Sequence, residues 1–504
     1  MDAIELPCGI ECEHTPGMAA TRAAKPSSNR PADVESIEGG DGRRRRSTLT
    51  MRRSHIFGFI MASALITLDG TATTVALPAM ARELSASVAQ IQWVANAPLM
   101  VLAAMLLPAG ALADRFGRGR TVRIGLMVFA AASVLCAWSS SNLTLIAAKF
   151  AQGMGGALVL PAALAALRDA EDDAASRTRL FGVWAACTGG ASAAGPVLAG
   201  GLVDVWSWRA VFVPTILIGL IALALLRRSG EVETERRFEA LPITATAALM
   251  ILLGAVAYLL IQGPRGDLTG SRLALPLVLA VASGIVLAVH PRSHHLIPRE
   301  LLSAENCLPA NATTFALYFG VFGLSFLVVL YVQQVLQTSA LWSAIVLLPM
   351  SAALLLAERF GRLAALVGTR PLIVAGALLA AAGLAWIAAS PHPVPFWSHL
   401  MVGTGLFGLG VSVAVSTLTH AAVVAVPATC AGAASGLNHA VVRAAGLVAV
   451  SLLGSLAAPG VSDSISAEGF QRAMLVCTAI VAAVGVGGTA LLRDRAPGGI
   501  EGNG

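Results

Sequence analysis

Charge is scarce in this chain. Of its 504 residues only 12% are Asp, Glu, Lys or Arg, about half the share of a soluble domain, while 56% are hydrophobic. That balance excludes an ordinary soluble protein. Cysteines number seven and are scattered. Cys136, Cys187 and Cys477 fall in apolar stretches; Cys8, Cys12, Cys307 and Cys430 fall in the tail, in loops or at a span edge, so no disulfide framework is implied. Cys8, Cys12 and His14 come nearest to a metal set, but no second ligand cluster accompanies them, and a reduced, solvated tail is the better reading. His290, His294 and His295 read as solvated loop residues beside Arg292. There is no nucleotide-binding loop, metal cluster or nucleophile–base set, and an enzyme is therefore not expected. No signal peptide is evident, since some 55 polar residues precede the first apolar run.

What is present instead is a series of apolar runs of about 20 residues, each long enough to cross a hydrocarbon core of about 30 Å. Their spacing predicts fourteen helices, beginning near residues 56, 91, 121, 142, 179, 206, 242, 271, 309, 339, 371, 396, 431 and 470. The basic residues test that count. With the N-terminus placed in the cytoplasm, 27 of the 34 Lys and Arg fall on the inner side, four on the outer side and three within spans. This asymmetry fits the positive-inside rule and predicts that both termini are cytoplasmic. It also accounts for the net charge of +6 without a nucleic-acid partner.

Residues 1–53 are polar and rich in Pro, Ser, Gly and charge, which predicts a disordered tail. Its Arg43–Arg46 run suits anionic lipid headgroups, although a plain topogenic charge is the simpler account. Met51-Arg-Arg, just before the first span, would also make a normal start. Residues 54–228 and 305–492 are expected to form two six-helix bundles, 229–304 a linker with two inserted helices, and 493–504 a cytoplasmic tail. An internal echo supports two related halves: Gly110-Ala-Leu-Ala-Asp-Arg-Phe-Gly117 returns as Gly361-Arg-Leu-Ala-Ala-Leu-Val-Gly368, with the same glycine spacing but without the Asp-Arg pair.

Three features carry chemistry. The first is Asp69, the only one of 28 acidic residues placed mid-span. A carboxylate there costs roughly 2.5–3.5 kcal/mol on insertion scales, and function is the usual compensation. At about 1.5 Å per residue, Asp69, Lys149 and Arg443 fall in one central layer, where they are expected to face a cavity or one another; the alternative is a fixed ion pair that only sets helix packing. The second is the loop Gly110, Asp114, Arg115, Gly117, Arg118, Arg120. Gly117 suits a tight turn that needs φ > 0, and Asp114 sits at the negative end of its helix, so it requires a partner such as a nearby Arg or another helix N-terminus. The third is the fifth helix, where Gly182, Ala186, Gly190 and Ala194 recur every four residues, as do Ala191, Gly195 and Ala199. Small residues at that period let helices approach closely, and Pro196 removes a backbone hydrogen bond before Gly200-Gly201. A conformational hinge or seal is the expected role.

The loop resembles the signature of the major facilitator superfamily. The segment from Gly190 through Gly195-Pro196 to Gly201 resembles the motif of its proton-coupled exporters, and Leu68-Asp69-Gly-Thr71 through Pro78 resembles the first helix of its 14-helix drug:proton antiporters. Leu330-Tyr331-Val-Gln333 and Ala434-Ser435-Gly436-Leu-Asn438 are further matches. The sequence departs from the family at Thr74 (Asn expected), Ala210 (Trp), Gln337 (Gly) and Lys149 (a mid-membrane Arg linked to proton transfer). The resemblance implies an all-α polytopic membrane protein with the major facilitator fold: two six-helix bundles, two inserted helices and fourteen spans. It implies a monomeric exporter of small amphipathic compounds such as drugs or antibiotics, driven by the proton gradient without a cofactor. Asp69, Lys149, Arg443, Gln152 and Asn438 would be its proton- and substrate-binding residues. Arg209 reads as an interfacial anchor. An uptake permease of the same fold would share the loop motif but not Gly195-Pro196, and a non-transporting receptor or assembly protein would not need the central charges.

Overall fold

A computed structural model describes residues 38–171, 173–227, 242–266, 270–289, 306–356, 360, 367–391, 393–424, 431–458 and 464–491. Cys8, Cys12, His14, the loop histidines, Gly361 and Cys430 lie outside them. The described residues form fourteen α-helices and no strand. In chain order they are α1 (Glu38–Leu84), α2 (Val88–Phe116), α3 (Arg118–Trp138), α4 (Asn142–Asp169), α5 (Ala174–Val205), α6 (Phe212–Leu226) and α7 (Ile243–Gln262). There follow α8 (Ser271–Val289), α9 (Cys307–Leu330), α10 (Ala340–Leu354), α11 (Thr369–Ala388), α12 (Val402–Val424), α13 (Ala431–Ala457) and α14 (Ala467–Ala490). Thirteen helical segments are long and apolar enough to cross a membrane, and α10 is a shorter apolar helix.

One boundary differs from the sequence expectation. Helix α1 is assigned from Glu38, whereas the segment apolar enough to span begins at Arg53. Helix starts elsewhere follow local chemistry. Ser87 and Ser141 cap α2 and α4 in reciprocal capping boxes with Gln90 and Thr144. Asp173 caps α5 by accepting the Ser176 N–H at 2.9 Å, and that bond holds its carboxyl below the ordinary carboxylate range.

The two halves repeat one packing scheme. In the first, α3 crosses α4 at Gly125 and Gly155, where a Cβ on Gly155 would stand 2.7 Å from the Gly125 carbonyl. In the second, α11 crosses α12 at Gly376 and Gly410, where a Cβ on Gly376 would stand 2.6 Å from the Gly410 carbonyl. The turns match too: Gly117 has φ +91° and Gly368 has φ +94°, a conformation that disfavours any side chain. Between the halves α2 packs on α13 and α5 on α10, while the inserted α7 rests against α8, α2 and α13.

The face carrying Gly117 and Gly368 is here termed the motif face, and its opposite the far face. Toward the far face the halves are sealed by hydrogen bonds. Gln92 of α2 donates to the Val450 and Ser451 carbonyls at 2.7 and 2.8 Å, and Asn96 donates to the Ser451 hydroxyl at 2.8 Å. Gln333, in a π-helical turn after α9, donates to the Val75 carbonyl of α1 at 3.0 Å. Toward the motif face burial is lost. No residue of α5 from 175 to 194 is buried, whereas Gly195, Pro196, Ala199 and Gly200 are; on α13 none of residues 434–441 is buried, whereas Val442 is. Both helices still meet the opposite half there, Gly189 beside Leu355 and Gly436 beside Leu107.

Candidate functional site

Asp69 and Thr73 lie one turn apart on α1 and share a face, as do Lys149 and Gln152 on α4. The two faces meet. Lys149 Nζ lies 3.2 Å from Asp69 Oδ2, and also donates to Thr73 Oγ1 and to Gln152 Oε1, both at 2.7 Å. All three ammonium donors are thus used. Gln152 Nε2 donates to Asp69 Oδ1 at 3.0 Å and to Ser133 Oγ of α3 at 2.9 Å, and Thr215 of α6 donates to the same Asp69 oxygen at 3.4 Å. The Phe212 ring lies 4.8 Å from the ammonium. Lys149, Ser133 and Thr215 are fully enclosed, and Asp69 is 5% exposed. This is a complete polar circuit in an apolar bundle, and its members come from α1, α3, α4 and α6 of one half. Thr73, Ser133, Phe212 and Thr215 were not anticipated from sequence; of these, Thr73 carried a signal, standing four residues after Asp69.

Arg443 does not join that circuit. Gly436, Arg443 and Val450 lie seven residues apart, two helical turns, on one face of α13. That face is turned to α2, because a Cβ on Gly436 would meet Leu107 and the Val450 carbonyl accepts from Gln92. The expected central layer therefore holds two separate places, an enclosed ion pair in the first half and an arginine at the seam. Asn438 is half-buried and points elsewhere, about 200° round α13 from Gly436 at 100° per residue.

In the loop, Asp114 finds the nearby arginine. Arg118 Nη2 lies 3.4 Å from Asp114, and its Nη1 pairs with Asp169 and donates to the Ala165 carbonyl at 2.9 Å, so one guanidinium joins the ends of α2 and α4. The Arg115 guanidinium lies over the Phe116 ring, and Arg120 is exposed. Asp114 is 54% exposed at its side chain, and its one described ion pair stays within the first half. Gly110 has open space where a Cβ would stand.

Within α5 the motif residues divide. A Cβ on Gly195 would stand 2.2 Å from the Thr71 hydroxyl and 2.9 Å from the Leu68 carbonyl of α1, and one on Gly200 would stand 2.7 Å from Leu341 Cα of α10. Gly190 and Gly201 have nothing within 4 Å. Pro196 sits inside one continuous helix. Beyond its far-face end, Arg209 pairs with Glu83, lies 4.2 Å from the Trp208 ring and donates to the Ser139 carbonyl at 3.0 Å; it anchors three connections rather than lipid alone.

The Major Facilitator Superfamily profile matches residues 59–450. The chain belongs to this superfamily. It is a multi-pass membrane transporter, not an enzyme. Among its relatives, Multidrug resistance protein Stp of Mycobacterium tuberculosis is 30% identical over 404 residues, 80% of this chain and 75% of that one. Puromycin resistance protein pur8 of Streptomyces alboniger is 30% identical over 446 residues, 85% and 87% of the two chains. Tetracenomycin C resistance and export protein of Streptomyces glaucescens is 30% identical over 407 residues, 79% and 74% of the two. Among solved structures, a bacterial homologue of the human lysosomal transporter Spinster, in an inward-facing and unoccupied conformation, superposes with a TM-score of 0.62 at 16% identity, covering 88% of this chain and 97% of that one. At that identity the likeness is one of fold.

Proposed function

We propose that this transporter exports small amphipathic organic compounds of the antibiotic class in exchange for protons, and that Asp69 is the carboxylate that carries the proton. The observation behind this reading is the enclosed Asp69–Lys149–Gln152 circuit. A proton on Asp69 neutralises the carboxylate and leaves the Lys149 ammonium with its hydroxyl and amide partners alone. Removing one partner of a buried pair costs about 3–5 kcal/mol. Driving a two-state equilibrium from 1:99 to 99:1 takes about 5.5 kcal/mol. Protonation of this one group therefore falls somewhat short of a complete switch but is large enough to bias which face is open. Three relatives named for resistance to drugs or antibiotics support the cargo class, and the Gly195–Pro196 contact with α1 supports an exporter over an uptake permease. In this reading the motif face is cytoplasmic, with both termini, in the cell membrane; the protein works as a monomer among lipids, and the proton gradient is its energy source without a cofactor.

The test is transport in inverted vesicles, with ethidium, a permanent cation, and fluorescein, a carboxylate, as probes and an imposed pH gradient. An acid lumen should drive dye accumulation, and collapsing the gradient with an uncoupler should abolish it. Accumulation indifferent to the gradient removes proton coupling from the proposal, and no accumulation of either dye removes export.

A further inference from the structure

The two cations buried deepest in the spans have different fates. Lys149 has every donor satisfied by Asp69, Thr73 and Gln152. Arg443 has no carboxylate partner among the described residues, and Asp69, the acid at its depth, is already taken. An arginine at mid-span is costly to insert, and such residues face protein or a water-filled space. Asn311, Phe315, Tyr318, Phe322 and Ser325 form the partly accessible stripe of α9, a helix otherwise among the most enclosed of the spans. Arg443 is half-buried, with Tyr318 and His439 as electrostatic neighbours, and His439, one turn before it on α13, is exposed. The Phe322 ring lies against Gly446 of the same helix, where a Cβ would stand 2.8 Å from it. Arg443 and Tyr318 thus keep partly accessible surface on two closely packed helices, and nothing described neutralises the guanidinium.

We propose that Arg443, Tyr318 and His439 form the cargo-recognition site, and that it selects compounds bearing a carboxylate on an aromatic or apolar body. This deepens the transport reading and rests on it. The guanidinium presents a planar fork that matches a carboxylate with two parallel hydrogen bonds. The Tyr318 hydroxyl supplies a further donor, and Phe315 and Phe322 give an aromatic wall for the body of the molecule. A permanent cation gains nothing here, because the local charge is positive. Proton handling and cargo handling then belong to different halves: Asp69 in the first, Arg443 in the second.

The test is equilibrium binding of fluorescein and of fluorescein methyl ester, which differ only at the carboxylate, to the purified full-length protein by fluorescence anisotropy. The unaltered protein should bind the acid at least tenfold more tightly than the ester. Arg443→Gln should bind the two alike, Arg443→Lys should keep a reduced preference because a point charge replaces the fork, and Tyr318→Phe should lower it. Arg472→Gln, which removes the same charge from the exposed start of α14, should leave the preference unchanged. Equal affinity for acid and ester in the unaltered protein, or no binding of the acid, overturns the proposal whatever the variants do. So does a preference that survives Arg443→Gln. Failure of proton-driven dye accumulation with the acid preference intact would instead count against the transport reading.

Discussion

The Asp204 carboxylate, in the last turn of α5, accepts the backbone N–H groups of Ala340 and Leu341 at 2.9 and 3.0 Å. A residue of the first half thus caps the first turn of a helix in the second. Ser339 stands at the N-cap position of α10 but makes no capping bond with its side chain, so Asp204 does that work from across the seam. A carboxylate at a helix N-terminus also meets the positive end of the dipole. With Gln92, Asn96 and Gln333 it forms the far-face seal. Asp204→Ala removes both acceptors, and caps of this kind contribute roughly 0.5–2 kcal/mol. The variant should open the far face more often, by several-fold, without unfolding. A cysteine placed at Leu341 and probed with a membrane-impermeant maleimide reads this directly; unchanged labelling would show that the cap is not part of the seal.

Asp69→Asn should abolish proton-driven export and still yield folded protein, because Asn can accept from Gln152 and Thr215. Lys149→Ala should also lower stability, and it removes the bulk of the side chain as well as the charge. It leaves a carboxylate 5% exposed with no cation, a loss of about 3–5 kcal/mol. The double variant Asp69→Asn/Lys149→Ala should recover most of that loss. Thermal unfolding in detergent separates the three, and additive effects would deny that the pair is coupled. Lys149→Arg should be tolerated better than Lys149→Ala. If the lysine only supplies fixed charge, the pH profile of export stays as it was; a flattened profile identifies Lys149 as a titrating member of the cycle.

Asp114→Asn should fold normally. The pair it removes is exposed, where ion pairs contribute up to about 1 kcal/mol, and Arg118 keeps Asp169 and the Ala165 carbonyl. Transport should nonetheless fall sharply if Asp114 biases the motif face. Normal transport rates in a normally folded variant would reduce the loop to a topogenic element.

The α5 glycines predict a sharp contrast. Gly195→Ala and Gly200→Ala place a methyl group against backbone of α1 and α10, an overpacking that costs typically 1–3 kcal/mol. Gly190→Ala and Gly201→Ala fill open space and should be neutral in thermal stability. Equal losses across all four would mean that helix flexibility, not contact, is what the glycines supply.

Much of this was legible in the sequence and some was not, for identifiable reasons. Hydropathy and length place the helices because crossing a membrane sets a minimum apolar run. Asp69 declares itself by being alone, and counting residues along each helix gives depth. Depth does not give azimuth, which depends on neighbours, so Arg443 shares a layer with Asp69 without sharing a site. Ser133 and Thr215 escape because hydroxyls in apolar helices ordinarily bond a carbonyl one turn back, as Ser133 also does with Phe129. The four-residue period of α5 does not reveal which of its faces meets another helix.

Gln337 shows a departure from the family pattern with a physical cost. It stands where a glycine is expected, and its φ is +52°, the left-handed region in which a side chain costs roughly 1–2 kcal/mol. Gln337→Gly should relieve part of that strain and raise thermal stability, offset by the greater freedom of glycine in the unfolded chain. A lowered midpoint would show that the Gln337 side chain, which bonds the Gln334 carbonyl, contributes more than the strain removes.

Every described group that holds the Asp69 carboxylate belongs to α1, α4 or α6, and the Ser133 of α3 that steadies Gln152 lies in the same half. Rotating one half against the other as rigid bodies leaves each of those distances as it is. In the proton-exchange reading, rocking alone would leave the proton's site as it is. The first helix is the element placed to change this, because it meets Gln333 of the second half through Val75 and meets α5 at Gly195, within two turns of Asp69. A pull at Val75 when the far face parts is then transmitted along a helix to a carboxylate less than 10 Å away at about 1.5 Å per residue. In the proton-exchange reading proposed above, the committing event would be on the scale of a single side chain turning.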